Sequence, residues 1–168
     1  SNVDNIRIEP LKTRYIRDVI EIEIECSLSR WSHQDYLDEL ARTDSVLLTA
    51  SVVDDDCSGF LVGRFVPGST TDSNDAEIYN IGVRPKSQSL GVGSRLMNEF
   101  LSVCARDGIK NIWLDVRESN TRAIAFYKSF GFTQAAVRKG FYRDPEEDGL
   151  VMTVRMDDHV LLHDSNIA

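Results

Sequence analysis

The stretch AEIYNIGVRPKSQSLGVGSRLMNEF, residues 76–100, decides the fold. It opens with AEIYNIGVRP (76–85), an apolar run that reads as a long strand ended by Pro85. It closes in GSRLMNEFLSVCARDG (93–108), read as a helix. There Leu96, Phe100 and Val103 share one stripe, and Gly108 is placed to stop it. Between the two, QSLGVG (88–93) carries two glycines one residue apart. A strand that runs straight into a helix leaves the first helical N–H groups without partners. Glycine lets backbone approach an anion closely, and the helix dipole favours negative charge at that point. The turn therefore reads as a phosphate cradle, or as a plain change of direction at Gly91 and Gly93.

Two nucleotide motifs are excluded. A P-loop needs Gly-Lys-Ser/Thr where the helix starts, and here Ser94 and Arg95 follow Gly93. A dinucleotide fingerprint needs a third glycine three residues after Gly93, and position 96 is leucine.

Working outward, IRIEPL (6–11) alternates as a short strand, and residues 13–29 carry Ile16, Val19, Ile20, Glu23 and Ile24 at near-helical spacing. Residues 32–42 form a second helix, with Ser32 as N-cap and Asp35 completing a variant capping box. Strands at 45–53 and 60–68 flank a polar turn (54–59) as a hairpin, and 69–75 is a loop. A strand (111–118) then leads to a helix (120–131) with Asn120 as N-cap and Gly131 as stop. Residues 132–142 begin as a strand, 143–149 turn, and 150–156 form the last strand. The order β-α-α-β-β-β-α-β-α-β-β describes a mixed α/β sheet covered by helices.

With 168 residues, 42% hydrophobic and 27% charged, the chain suits one globular domain, 3–157, followed by a tail, 158–168. No apolar stretch approaches the roughly 18 residues of a membrane span, and the polar N-terminus lacks a signal-peptide pattern. The net charge of −8 argues against nucleic acid as partner. It suits a cationic acceptor, or solubility alone. Cys26, Cys57 and Cys104 are odd in number and far apart, and His33, His159 and His163 form no ligand cluster. Reduced thiols, no metal, no membrane partner and a cytoplasmic setting are expected. No leftover apolar stripe demands a partner, so a monomer or weak homodimer is expected.

Q-x-x-G-x-G, here Gln88 to Gly93 after YNIGV, resembles the pyrophosphate motif of the GNAT superfamily of N-acetyltransferases. WLDVRESNTRAIAFYKSFGF (113–132) resembles that superfamily's next motif, correctly ordered and spaced. The resemblance covers roughly residues 6–156 and implies a single-domain, mostly antiparallel mixed sheet flanked by helices. Within the superfamily, SRWSHQDYLDEL (29–40), LDVRESN (114–120) and RKGFY (138–142) before LVMTV are similar to the RimI-like ribosomal-protein-alanine N-acetyltransferases.

The resemblance implies acetyl transfer from acetyl-CoA to an amine by direct attack. Backbone N–H groups from Ser89 through Leu90, Gly91, Val92 and Gly93 to Ser94, after Gln88, would wrap the pyrophosphate. Ile81, Gly82 and Val83 match the strand that pairs with the pantetheine arm and presents an N–H to the thioester oxygen. Asn120 matches a cofactor contact, or caps its helix only. Tyr127 matches the general acid, or is a core aromatic beside Ala123 and Phe130.

Two carboxylates are candidates for the base. Asp115 stands where RimI-like sequences usually have glutamate, and its shorter reach favours a water relay. Its alternative is an ion pair with Arg117 or Arg138. Glu77, on the neighbouring strand, is the other candidate, or a rim charge. Trp31, Arg138, Phe141 and Tyr142 match the acceptor side. The acidic tip RDPEEDG binds a cationic acceptor or is a solvated turn. An α-amino group titrates near 7.7–8.0 and a lysine near 10.4, so a peptide N-terminus asks less of its base. The expected acceptor is the N-terminal α-amine of a protein or peptide. The alternatives are a small amine such as a polyamine, and a non-catalytic acyl-CoA-binding module.

Overall fold

The computed structural model of the protein describes residues 5–52, 56–67 and 74–157. Most of the expected loop at 69–75, the start of the turn at 54–59 and the tail 158–168 lie outside the described residues. The elements follow the expected order: β1 (Arg7–Pro10), α1 (Ile16–Glu25), α2 (His33–Leu40), β2 (Ser45–Ser51), β3 (Cys57–Pro67), β4 (Asn74–Val83), α3 (Val92–Arg106), β5 (Asn111–Arg117), α4 (Thr121–Ser129), β6 (Thr133–Tyr142) and β7 (Glu147–Arg155). The seven strands form one sheet in the order β1-β2-β3-β4-β5-β7-β6. The β1–β2, β2–β3, β5–β7 and β6–β7 pairs are antiparallel. A parallel ladder joins Asp75–Ile78 of β4 to Asn111–Leu114 of β5. The mostly antiparallel mixed sheet implied by the resemblance is the one observed.

The described residues fall into two compact units. One holds the chain up to Phe65 and Tyr79–Cys104; the other holds Val66–Ile78 and the chain from Ala105 onward. Strand β4 contributes its first half to the second unit and its last half to the first.

In the first unit, alternate residues of β3 serve two layers. Phe60 and Val62 join Ile16, Val19, Ile22 and Tyr36 of the α1–α2 layer in one cluster. Each such aliphatic burial contributes roughly 1.5–3 kcal/mol. Gly59 and Gly63 belong to the α3 side. A Cβ on Gly59 would meet Val92 Cγ1 at 3.0 Å and Leu96 Cδ1 at 3.2 Å, and one on Gly63 would meet Phe100 Cε2 at 2.3 Å. The i, i+4, i+8 stripe Val92, Leu96, Phe100 thus lies where a side chain from β3 would be. In the second unit, Ile112, Leu114 and Val116 of β5 are buried, as are Val151, Met152 and Val154 of β7 and Tyr127 and Phe132 from α4 and its exit.

Some boundaries differ from the expected ones, each for a local reason. The helix expected over 13–29 is a 3-10 turn, Thr13–Tyr15, followed by α1, which stops at Glu25. The stop is a Schellman-type turn without glycine. Ser27 takes φ 54, Leu28 N donates to Glu23 O (2.9 Å), and Ser27 N donates to Ile24 O (3.2 Å). Strand β7 begins at Glu147, three residues before the expected 150, because Tyr142 pairs with Glu147 across a short tip. Strand β3 starts at Cys57, opposite Ser51, within the expected turn. Other expectations hold. Ser32 Oγ accepts from Asp35 N (3.0 Å) while Asp35 Oδ2 accepts from Ser32 N (2.7 Å). Gly108 and Gly131 close their helices at φ 70 and 91.

Candidate active site

The first unit contributes the loop between β4 and α3. Arg84 fixes its start. Its N–H donates to Ser58 O (2.8 Å), its Nε donates to Cys57 O (2.9 Å), and its guanidinium meets Asp18, Glu21 and Glu25 on α1 at 3.1, 3.1 and 2.7 Å. A 3-10 turn, Pro85–Ser87, follows. Gln88, expected at the cofactor, turns its side chain back on the strand, and its Nε2 donates to Val83 O (3.0 Å). The Cys26 thiol donates to the same oxygen (3.2 Å). Two residues then take left-handed backbone, Ser89 at φ 71 and Gly91 at φ 88. Nothing lies within 4 Å of where a Gly91 Cβ would sit. The loop is therefore open on that side, and α3 starts at Val92 with its first N–H groups beyond the reach of intrahelical acceptors. Ser89, Leu90, Gly91, Val92, Gly93 and Ser94 thus form one contiguous turn and helix start, a geometry suited to a phosphate group. Upstream, Ile81 and Val83 flank Gly82, whose Cβ would meet Leu28, Ile22 and Phe60 within 3.0 Å. Packing against α1 therefore demands that glycine.

Trp31 lies between α1 and α2. Its ring is 5.2 Å from Tyr36 and 6.3 Å from Tyr79, both centroid to centroid. Tyr79 is 40% exposed, with the Arg64 guanidinium 4.9 Å over its ring. Arg64 in turn makes a two-pronged ion pair with Glu39, the shortest contact 2.6 Å.

The second unit groups the catalytic candidates. Glu77 is paired in register with Trp113, and Asp115 follows two residues along β5 on the same face. Strand spacing and rise put Glu77 and Asp115 diagonally about 8 Å apart. Of the ion pairs open for Asp115, Arg138 is the one formed, Nε to Oδ1 at 2.9 Å. Arg117 instead clamps the β6–β7 tip. It donates to Pro145 O (3.0 Å) and Arg143 O (3.1 Å), pairs with Glu147 at 3.4 Å, and lies 4.5 Å over the Tyr142 ring. Phe141 packs edge-on against Tyr142 at 5.0 Å and is 48% exposed.

Tyr142 is the centre of this group. Burial, and then the charge of Asp115, push its phenol up to about 12. Tyr127 packs against Phe126 and Phe132, and burial, with a smaller effect of Tyr142, raises its phenol well above the usual 10. Asp115 and Tyr127 are thus both within electrostatic reach of Tyr142. Asn120 Oδ1 accepts from Ala123 N (3.2 Å), so it does cap α4.

Sequence reasoning missed Arg84, the Arg117 clamp, and the Glu23–Tyr36 pair described below. Only Glu23 carried a local signal, a charge inside the apolar stripe of α1. Among the described residues no group of three or more His, Cys, Asp or Glu could hold a metal, and no helix is long and apolar enough to cross a membrane.

Comparison with known proteins agrees with this fold. A family model described as acetyltransferase (GNAT) family matches residues 16–132. The chain is 36% identical over 83 residues to the ribosomal protein bS18-alanine N-acetyltransferase of Escherichia coli (strain K12), an overlap covering 48% of this chain and 56% of that one. The match thus spans little more than half of that relative's length. The enzyme of the same name from Salmonella typhimurium is 29% identical over 150 residues, 88% of this chain and 95% of the relative. The crystal structure of the ribosomal-protein-S18-alanine N-acetyltransferase from Escherichia coli superposes with a TM-score of 0.76 at 25% identity, covering 90% of this chain and 94% of that one.

Proposed function

The chain belongs to the acetyltransferase (GNAT) family, and from that premise we propose that it transfers an acetyl group from acetyl-CoA to the N-terminal α-amine of a peptide or protein. The observation that carries this reading is the grouping of Asp115, Tyr142 and Tyr127, a carboxylate and two raised phenols, in one unit. A module that only binds an acyl-CoA needs no such group. The relatives named as ribosomal protein bS18-alanine N-acetyltransferases, and one from Mycobacterium tuberculosis named as an N-alpha-acetyltransferase, support an α-amine acceptor.

The open loop with left-handed Ser89 and Gly91 at the start of α3 fits a pyrophosphate. Acetyl-CoA, when bound, supplies the activated acetyl group. Backbone N–H groups of Ser89 and Gly91–Ser94 would hold its phosphates, the Leu90 N–H being taken up by Ser87 O (3.4 Å), and the β4 stretch Ile81–Val83 its arm. The Val83 carbonyl already accepts from Gln88 and Cys26, so Ile81 and the Val83 N–H are the better partners.

Asp115 takes the ammonium proton, directly or through water. Arg138 holds its Oδ1, which assigns the proton to Oδ2. Glu77 supplies a second carboxylate on the same face. Tyr127 holds the proton for the departing thiolate, and its raised phenol keeps that proton in place at neutral pH. Trp31, Arg138, Phe141 and Tyr142 receive the acceptor. The protein works as a monomer or weak homodimer in a reducing, cytoplasmic setting. None of the three cysteines is in a disulfide.

The test is thiol release from acetyl-CoA with short peptides starting in Ala, Ser, Met or Glu, their N-blocked forms, spermidine and lysine. Turnover on free N-termini that blocking abolishes is the expected result. Turnover on spermidine or lysine alone would move the acceptor to the small-amine class.

A further inference from the structure

Glu23 is fully buried on α1 and has no part in the chemistry above. Its Oε1 accepts from the Tyr36 hydroxyl of α2, and its Oε2 accepts from the backbone N–H of Trp31 at 2.8 Å. A buried carboxylate stays favourable only when its oxygens are met this way. We propose that Glu23 is a positioning residue for the acceptor: it fixes the backbone of Trp31, and through it an aromatic ledge of Trp31 and Tyr79 on which the acceptor peptide lies. This rests on the reading of the protein as a peptide acetyltransferase.

The segment between α1 and α2 is pinned where the proposal needs it. The Cys26 thiol donates to Val83 O, Asn80 Nδ2 donates to Ser29 O (3.2 Å), and Leu28 N donates to Glu23 O (2.9 Å). The first two ties land on β4, within the strand that carries Tyr79 and the Ile81–Val83 stretch. One strand therefore sets both the ledge and the cofactor-side backbone. Trp31 itself lies beyond those ties, and Glu23 Oε2 is what holds its N–H. The ledge is not sealed over: Tyr79 is among the few large apolar side chains left exposed. Burial raises the Glu23 carboxyl, against the lowering effect of the Tyr36 and Trp31 hydrogen bonds.

The two hydrogen bonds can be separated. Tyr36→Phe removes the hydroxyl and leaves the Trp31 contact. Glu23→Ala removes both, while Glu23→Gln keeps an oxygen that accepts from the Trp31 N–H and turns its NH2 to donate to the Tyr36 hydroxyl. A purely structural Glu23 predicts that Tyr36→Phe and Glu23→Ala act alike, in proportion to lost stability. Positioning predicts a split. In Glu23→Ala the acceptor KM rises about tenfold while kcat and the acetyl-CoA KM stay within about twofold, the scale of one charge-assisted hydrogen bond. Tyr36→Phe leaves the acceptor KM within about twofold, and Glu23→Gln restores it. Glu23→Asp keeps the charge but shortens the reach, and takes the place of Glu23→Ala should that variant not fold, with the same expected rise.

Hydrogen exchange at the Trp31 amide reads the same contact without turnover, and is expected to speed up in Glu23→Ala or Glu23→Asp and not in Tyr36→Phe. An unchanged acceptor KM with unchanged Trp31 exchange, or an equal rise in Tyr36→Phe, overturns the proposal. If the wild-type protein turns over no peptide, the acetyltransferase reading has failed and the acceptor role falls with it, while the exchange result still decides whether Glu23 holds Trp31.

Discussion

Arg138 Nε meets Asp115 Oδ1 at 2.9 Å, across from β6 to β5 by way of β7. Both side chains are substantially exposed, so the pair contributes no more than about 1 kcal/mol to stability. Its consequence is orientation, because it fixes which carboxylate oxygen is available. Asp115→Asn is expected to lower kcat/KM for a peptide about 100-fold with Tm almost unchanged, and Glu77→Gln less than tenfold. Steady-state kinetics above pH 7.5 checks both. A larger loss in Glu77→Gln would transfer the role of base to that strand, and no loss in either would remove the base from both.

Tyr127→Phe is expected to lower kcat by about 100-fold or more while acetyl-CoA affinity changes little. The sign of the pH effect follows from the raised phenol. An acid must be protonated to act, so raising its pKa moves the alkaline fall of kcat upward, beyond pH 10. A wild-type kcat that falls with a midpoint near pH 8 or 9 would contradict the assignment.

Glycines at two places should fail in different ways. Gly91→Ala forces a Cβ into left-handed backbone but meets no neighbour, so it should cost about 1–2 kcal/mol. It should also weaken acetyl-CoA binding, read by calorimetry. Gly63→Ala drives a Cβ into Phe100 and should cost about 1–3 kcal/mol, with acetyl-CoA affinity of the folded protein largely kept. Equal effects on affinity would mean that the loop is not the cofactor's contact.

The β6–β7 tip should loosen in acid. Hydrogen bonds from Ser119, and then Arg117, hold the Glu147 carboxyl below its ordinary 4.5. The Gly140 N–H, and then Lys139, do the same for Asp148. A lowered folded-state pKa gives stability that is present above the ordinary value and lost as pH falls through the folded one. Urea midpoints should therefore decline from about pH 5 to pH 3, and less steeply in Glu147→Gln and Asp148→Asn. Parallel declines in wild type and variants would dismiss the effect.

What was legible in the sequence was local. The run from Ala76 to Arg106 declared strand, turn and helix through composition and glycine placement. The Ser32–Asp35 box and the Asn120 cap were readable because both partners lie within three residues. The end of α1 was not, since Ser27 takes the left-handed conformation that glycine usually advertises. Arg84 was not either. Its partners on α1 lie 59 to 66 residues away, a relation only the folded chain creates. Arg117 was weighed against Asp115 because they are two residues apart on one strand. The tip carbonyls that claimed it come from residues 26 and 28 positions downstream. Glu23 sat in view on the apolar stripe, but its meaning needed Tyr36 and Trp31.

The hydrogen atoms that stand in for side chains at Gly59 and Gly63 set how deeply α3 seats on β3. Val92, the residue that rests on Gly59, is also the first residue of that helix. A single methyl at position 59 would therefore lift the helix start by its weakest end and tilt the loop that precedes it. The shape of the proposed phosphate loop is then adjustable from a strand residue outside that loop, and drift at position 59 offers a route to reshape it while every residue of the loop itself stays the same.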